Sequence, residues 1–309
     1  PITLLSGASI WTLTLAEGKA GDVSVRSSAV TLDGKDIVTG VKSDSSPISS
    51  GASGNVEVVA DGAITLLNGG AISANTSSSA IGGNVNVRAA QLTVDDRGSS
   101  VFTGITAHSG FGGGPAGSID VAVAGAINLL GGGVISSDTY SSGNAGNVAV
   151  RAGSLTIDGQ ADYQFTGITS QSLWGSGHAG RVDVTISGQL DILNSGAIST
   201  TTSTQGSAGA ISIRARDMLI DGRGGDFVTG VSSDSMGVLG DGRAGDLSVL
   251  VSGNLAVLAG GSITSNTFSK GPAGNVDVKA GSVLVDGFGS MVAAIAAPSS
   301  AGQTGNVTV

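Results

Sequence analysis

The chain has no cysteine, so neither a disulfide nor a thiolate metal site can contribute to its fold. Aromatic residues make up only 3% of its 309 positions and charged residues 12%, with a net charge of −9. A nucleic-acid surface needs basic stripes and stacking platforms, and this composition supplies neither. No apolar run approaches the ~18 residues of a membrane-spanning helix. Pro1 opens without a signal-peptide pattern, so any secretion signal is expected outside this stretch. What fills the chain instead is glycine (53 residues), serine and aliphatic Val, Ile, Leu and Ala. Disordered chains lack β-branched apolar residues and carry more charge. Many short strands joined by glycine turns fit this composition.

The stretch Gly54-Asn55-Val56-Glu57-Val58 is repeated at Gly83, Gly146, Gly274 and Gly305, with looser copies at Gly21, Gly117, Gly180, Gly209 and Gly245. The spacings are 33, 29, 34, 29, 34, 29, 36, 29 and 31 residues, so a unit of fixed length alternates with one of variable length. Each unit holds three short segments with apolar residues at i and i+2, the signature of a strand, and none sustains a helical period. Three strands and three turns per unit, stacked in register, predict a parallel β-helix of about ten three-stranded coils of 29–36 residues, all in one domain over 1–309. One inward column is predicted at Val58, Val87, Val121, Val150 and Val184. A second runs Ile64, Leu92, Ile127, Leu155, Leu190, Met218, Leu255 and Val283. The turn between first and second strands differs by one residue between the two unit types. Glycine there is expected to supply positive φ.

The pattern Ala145-Gly146-Asn147-Val148-x-Val150, with its Leu-Thr-Ile and Gly-Ala-Ile-Ser segments, resembles the central repeats of filamentous haemagglutinin-type exoproteins across essentially the whole chain. That resemblance implies a right-handed β-helix and two-partner secretion from Gram-negative bacteria. It also implies an extracellular role as a surface adhesin or fibre. The family's secretion domain has no match here.

Charged residues form two columns. Arg26, Arg88 and Arg151 follow the first strand of variable units, and Glu57, Asp120 and Asp183 project from the first strand of fixed units. Their order predicts inter-coil ion pairs, with Arg88 between Glu57 and Asp120 and Arg151 between Asp120 and Asp183. The other reading is an array facing a polyanionic ligand. Asp33, Asp95, Asp158, Asp221 and Asp286 form a further column, mostly Asp-Gly. This is first a turn dipeptide, with a calcium ladder as the alternative. No cofactor is expected otherwise. Catalysis on such a scaffold needs carboxylates that break the repeat, and only Asp95-Asp96-Arg97, Asp162 near Tyr163 and Asp241 near Arg243 do so. His108 and His178 lie in loops without an assignable partner. The chain is therefore expected not to be an enzyme.

Loops after the variable units carry apolar residues suited to contact, namely Phe111, Leu173, Trp174, Met236 and Leu239; covering the seam between coils is the competing role. Pro1–Leu5 matches Ala63–Leu67, so the chain starts mid-unit, and Gly305–Val309 starts another unit. Open strand edges at both ends suggest continuation into a longer rod or head-to-tail stacking. The combined expectation is the structural shaft of a secreted fibre or adhesin that associates with itself. The alternatives are a glycan-binding module and, third, a polysaccharide-active enzyme.

Overall fold

The computed structural model describes residues 1–309 except 161–163, 224–226, 239 and 299. Among the described residues every regular element is a β-strand and every strand pairing is parallel, forming a β-solenoid of about ten turns. A fixed coil contributes Val56–Ala60, Ala63–Leu67 and Gly70–Ser73; the following variable coil contributes Val85–Ala89, Gln91–Asp95 and Gly104–Thr106. First strands stack on first strands, second on second and third on third. In two late coils the first and second strands run together as Leu247–Leu258 and Val276–Asp286. These two join the first and second faces into one 18-stranded sheet, opposite a ten-stranded sheet of third strands.

The predicted core columns are observed up to the last coil, where Val283 keeps register with Leu255 but is 39% exposed because no complete coil covers it. Val58 pairs with Val87, Val87 with Val121, Val121 with Val150 and Val150 with Val184. The Ile64 column runs in register through Leu92, Ile127 and Leu155 to Leu190. Val41, Ile72, Ile105, Ile135, Ile168 and Ile198 supply the third inward column. Coils stack at roughly 4.8 Å, so each buried side chain is covered from above and below by its own equivalents.

Each position of Gly-Asn-Val-x-Val has a separate physical reason. The glycine sits where consecutive coils approach too closely to admit a Cβ. A Cβ on Gly83 would lie 1.8 Å from the Gly54 carbonyl oxygen, and one on Gly146 would lie 2.0 Å from that of Gly117. The asparagine side chain reaches along the axis to the next coil. Asn55 Oδ1 accepts the Asn84 N–H at 3.0 Å, and Asn84 Oδ1 accepts that of Ser118 at 2.8 Å. The same bond joins Asn147 to Arg181 and Asn275 to Asn306. The two valines enter the core.

Glycines in the first turn do not adopt positive φ, contrary to expectation. Gly62 and Gly125 lie outside the left-handed region; added Cβ atoms there would meet the Ser28 and Ala90 carbonyls at 2.7 and 2.9 Å. Here too close approach of coils, rather than φ, demands glycine. Left-handed residues occur in the second turn of fixed coils, as at Asn68 (φ 45°) and Gly69 (φ 93°). The buried Gly69 N–H of that turn is satisfied by Thr103 Oγ1 of the next coil at 2.7 Å, and Thr166 does the same for Gly132. This explains the Thr-Gly pairs that open the third strands of variable coils.

The loops after the third strands are pinned by two files of buried hydroxyls. One alternates Thr14, Ser45, Thr76, Ser109, Thr139, Ser172, Thr202, Ser235 and Thr267, threonine on fixed coils and serine on variable ones. In fixed coils the hydroxyl donates to the carbonyl four residues on, as from Thr139 to Gly143 at 2.7 Å. In variable coils it reaches further, from Ser172 to Gly177 at 2.5 Å and from Ser235 to Gly242 at 2.8 Å. The second file joins successive motif glycines: Ser137 Oγ donates to the Gly117 carbonyl at 2.7 Å and accepts the Gly146 N–H at 3.0 Å. Loop length can vary because both feet of the loop are fixed.

Gly146→Ala is expected to lower stability by roughly 3 kcal/mol, the upper part of the usual range for overpacking, because backbone blocks the added carbon and coils cannot shift singly. Gly18→Ala, where nothing lies within 4 Å, is expected to change it by no more than about 0.5 kcal/mol. Chemical denaturation of both variants checks the contrast; equal effects would show that stacking at the glycine file is not limiting.

Candidate functional site: a groove along the third sheet

Outward residues of the third strands should be exposed, yet many are buried. Ser73, Thr106, Ser136, Thr169 and Ser199 are each less than 5% exposed although their neighbours in sequence fill the core. They form the floor of a groove whose walls are the second-turn loops on one side and the corner loops on the other. The floor has two polar files running along the axis. The first is Trp11, Lys42, Ser73, Thr106, Ser136, Thr169, Ser199, Ser232 and Thr264 in register. The second, two residues on, is Asp44, Asn75, His108, Asp138, Gln171, Thr201, Asp234 and Asn266.

The second file is tied together like the asparagine ladder. Asp44 Oδ1 accepts the Asn75 N–H at 2.9 Å, Asn75 Oδ1 that of His108 at 2.7 Å and Asp138 Oδ1 that of Gln171 at 2.7 Å. Asp234 Oδ1 likewise accepts the Asn266 N–H at 2.7 Å. Their other polar atoms bind the hydroxyl file: Ser136 donates to Asp138 Oδ2 at 2.6 Å and Gln171 Nε2 to Ser199 at 2.9 Å. His108 Nε2 lies 2.7 Å from Ser136 Oγ. Ser136 has one proton and gives it to Asp138, so the histidine is the donor in that contact. This order does not activate the serine, since its base would have to accept that proton. Burial lowers the His108 pKa, only partly offset by the Asp138 carboxylate, which favours neutral imidazole. Burial, reinforced by Asp138, pushes Tyr140 up to about 12, so its hydroxyl remains a donor.

The walls are aromatic. Phe102 and Phe165 rise from one side, each about two-fifths exposed, with Phe227 beyond them at 55%. From Phe102 a chain of rings crosses the floor through His108, at 5.8 Å between centroids, to Tyr140 at a further 5.8 Å, and continues on the other side to Trp174 at 6.3 Å and Phe111 at 5.6 Å. The groove widens into a cavity of about 310 Å³ between Phe102, Phe165, Tyr140 and Leu173, over Ser136 and Asp138. A second cavity of about 380 Å³, between Phe165 and Phe227 over Ser199 and Ser232, continues it along the axis. Such a surface offers flat apolar faces and dense hydrogen-bonding groups to an elongated ligand.

Of the residues singled out from the sequence, Phe111, Leu173 and Trp174 come together beside this groove, and Met236 is exposed on the same edge two coils further on. Leu239 lies outside the described residues, as do Asp162 and Tyr163. Phe102, Phe165 and Phe227 were missed; each stands just before a third strand, and their recurrence in alternate coils was the available signal. His108 also has a partner that the sequence did not reveal.

The charge ladder differs from expectation. Arg26 and Arg88 both bind Glu57, at 2.8 and 3.4 Å, and Arg151 binds Asp120 at 2.6 Å. Among the described residues no ion pair joins Arg88 to Asp120 or Arg151 to Asp183. Arg181, two residues earlier on the same side of the strand, takes Asp183 at 2.6 Å instead. These pairs are exposed and worth roughly 0–1 kcal/mol each. The Asp column serves turns: Asp158 Oδ1 accepts the N–H of Gln160 at 2.9 Å and Asn194 Nδ2 at 3.0 Å, and Asp221 is forked by Arg223. Among the described residues no three His, Asp or Glu side chains are placed to hold one metal ion. Asp95 pairs with Arg97 at 3.0 Å, while Asp241 pairs with Lys270 at 3.8 Å.

The chain matches no protein-family model, no curated protein and no solved structure.

Asp234 carries the clearest pH signature. Burial raises its pKa from 3.8 to about 6, against the opposing Asn266 N–H. The folded form therefore holds its proton more tightly than the unfolded form, and stability falls as pH rises from about 4 through 6. Asp234→Asn keeps an acceptor for Asn266 without the charge. It is expected to stabilise the fold by roughly 1–3 kcal/mol at pH 8 and by nothing below pH 4. Denaturation across that range checks this; a pH-independent difference would contradict it.

Proposed function

We propose that this protein is the structural shaft of an extracellular bacterial fibre or adhesin and performs no chemistry of its own. The observation that carries this reading is the equivalence of successive coil junctions. The same core columns, glycine contacts and side-chain ladders recur from coil to coil, so further coils or further copies can be added with the same contacts. A rod of about ten coils spans roughly 48 Å. Its net negative charge suits solubility and disfavours binding to polyanions.

A catalytic reading has less support. Along the groove floor the carboxylates Asp44, Asp138 and Asp234 recur every third coil, roughly 14 Å apart. Paired-carboxylate glycoside hydrolysis needs about 5–9.5 Å. The serine nearest a histidine is turned toward a carboxylate instead. The repeat motifs resemble those of secreted haemagglutinin-type proteins, which is the support for an extracellular location.

Immunogold labelling of intact source cells with an antibody against this chain tests the reading. Gold along thin filaments outside the envelope is expected. Label confined to the cell interior would overturn it.

A further inference from the structure

We propose that the groove along the third sheet binds an extended, neutral polysaccharide chain. Four independent features of the groove converge on that ligand class.

The first is shape. Phe165 and its neighbour Gln164 border both cavities, so the two are segments of one open trough parallel to the axis. A trough of this form takes a chain that enters and leaves rather than a compact metabolite. The second is chemistry. Sugar rings present apolar C–H faces and a rim of hydroxyls, and the groove presents aromatic walls over a floor of hydroxyl, amide and carboxylate groups. The floor groups already bond one another, so a ligand resting over them leaves no buried group unpaired.

The third is charge. Asp44, Asp138 and Asp234 lie on the floor, whereas the only cation in the two floor files is Lys42, which sits at the far end near Asp44 and Trp11 (5.7 Å from the ring) and leaves Asp138 and Asp234 without one. A polyanion would meet two fixed carboxylates with no compensating cation beside it, while a neutral polyol only has to exchange water for these acceptors. The fourth is period. Phe102 and Phe165 occupy equivalent places two coils apart, an advance of roughly 9.6 Å. That advance is comparable to two sugar units of an extended chain, so successive rings can meet the same face of alternate units.

This goes beyond the shaft reading, and the two can fail separately, since a fibre may carry an empty groove and a binding groove can lie on a short rod. Affinity electrophoresis of the whole chain, in native gels containing a soluble neutral β-glucan or polygalacturonate, tests it. Retardation is expected in the β-glucan gel alone. Phe165→Ala is expected to weaken it at least tenfold, Phe227→Ala to weaken it less, and Arg88→Ala, on another face, to leave it unchanged. Circular dichroism confirms that each variant keeps its strands; should Phe165→Ala lose them, Phe227→Ala decides. The proposal is overturned by migration unaffected by β-glucan or by retardation in polygalacturonate instead. It is also overturned if folded Phe165→Ala, or Phe227→Ala where it decides, binds as tightly as the unaltered chain.

Discussion

The whole solenoid depends on how closely one coil can lie on the next. At the file of motif glycines, backbone rests on backbone with no room for a single added carbon: 1.8 Å separates a notional Cβ on Gly117 or Gly209 from the carbonyl beneath. Because that contact fixes both height and register, every other column falls into line. Valines meet valines, and the asparagine beside each glycine finds the next coil's N–H in reach. Hydroxyls such as Ser170 bridge from one glycine carbonyl to the following glycine N–H, at 2.6 and 2.9 Å. A chain with so few charges and no disulfide thus holds its register through backbone proximity and short polar side chains.

Alternation of two coil types gives this uniform rod a differentiated surface. Second turns of both coil types enter the left-handed region, and variable coils supply the threonine that caps those of fixed coils. Variable coils also carry most of the bulky residues, Phe102 and Phe165 on one wall and Phe111 and Trp174 near the other, where Tyr140 of a fixed coil joins them. A groove arises wherever a flat sheet is flanked by two such walls, and alternation gives it a two-coil period. Loop variation is tolerated because the Thr and Ser file pins each loop at its feet.

Much of the scaffold was legible in the sequence because strand spacing and glycine recurrence follow directly from the stacking. The Val58 and Ile64 columns could be read off by counting, and the structure pairs them as counted. The reason for the glycines was not legible, since a residue without a side chain signals positive φ and close approach alike. The hydroxyl files were hidden for a similar reason: Thr76 and Ser109 look like loop polarity until a bridge places one above the other. Ser73 and Ser136 alternate with core residues and so read as solvent-facing; only the height of the flanking loops buries them. The charge ladder went half wrong because Arg181 offers Asp183 a nearer partner than any neighbouring coil does.

Amide hydrogen exchange resolved by residue tests the central role of coil-to-coil contact most directly. Asn84, Ser118, Asn147 and Arg181 are all exposed at the surface, yet each donates its N–H to a side chain of the preceding coil. If register is held as described, these amides exchange as slowly as those of Val85 and Val148 in the adjoining strands. Exchange at the rate of an open loop, with the strand amides still protected, would contradict it.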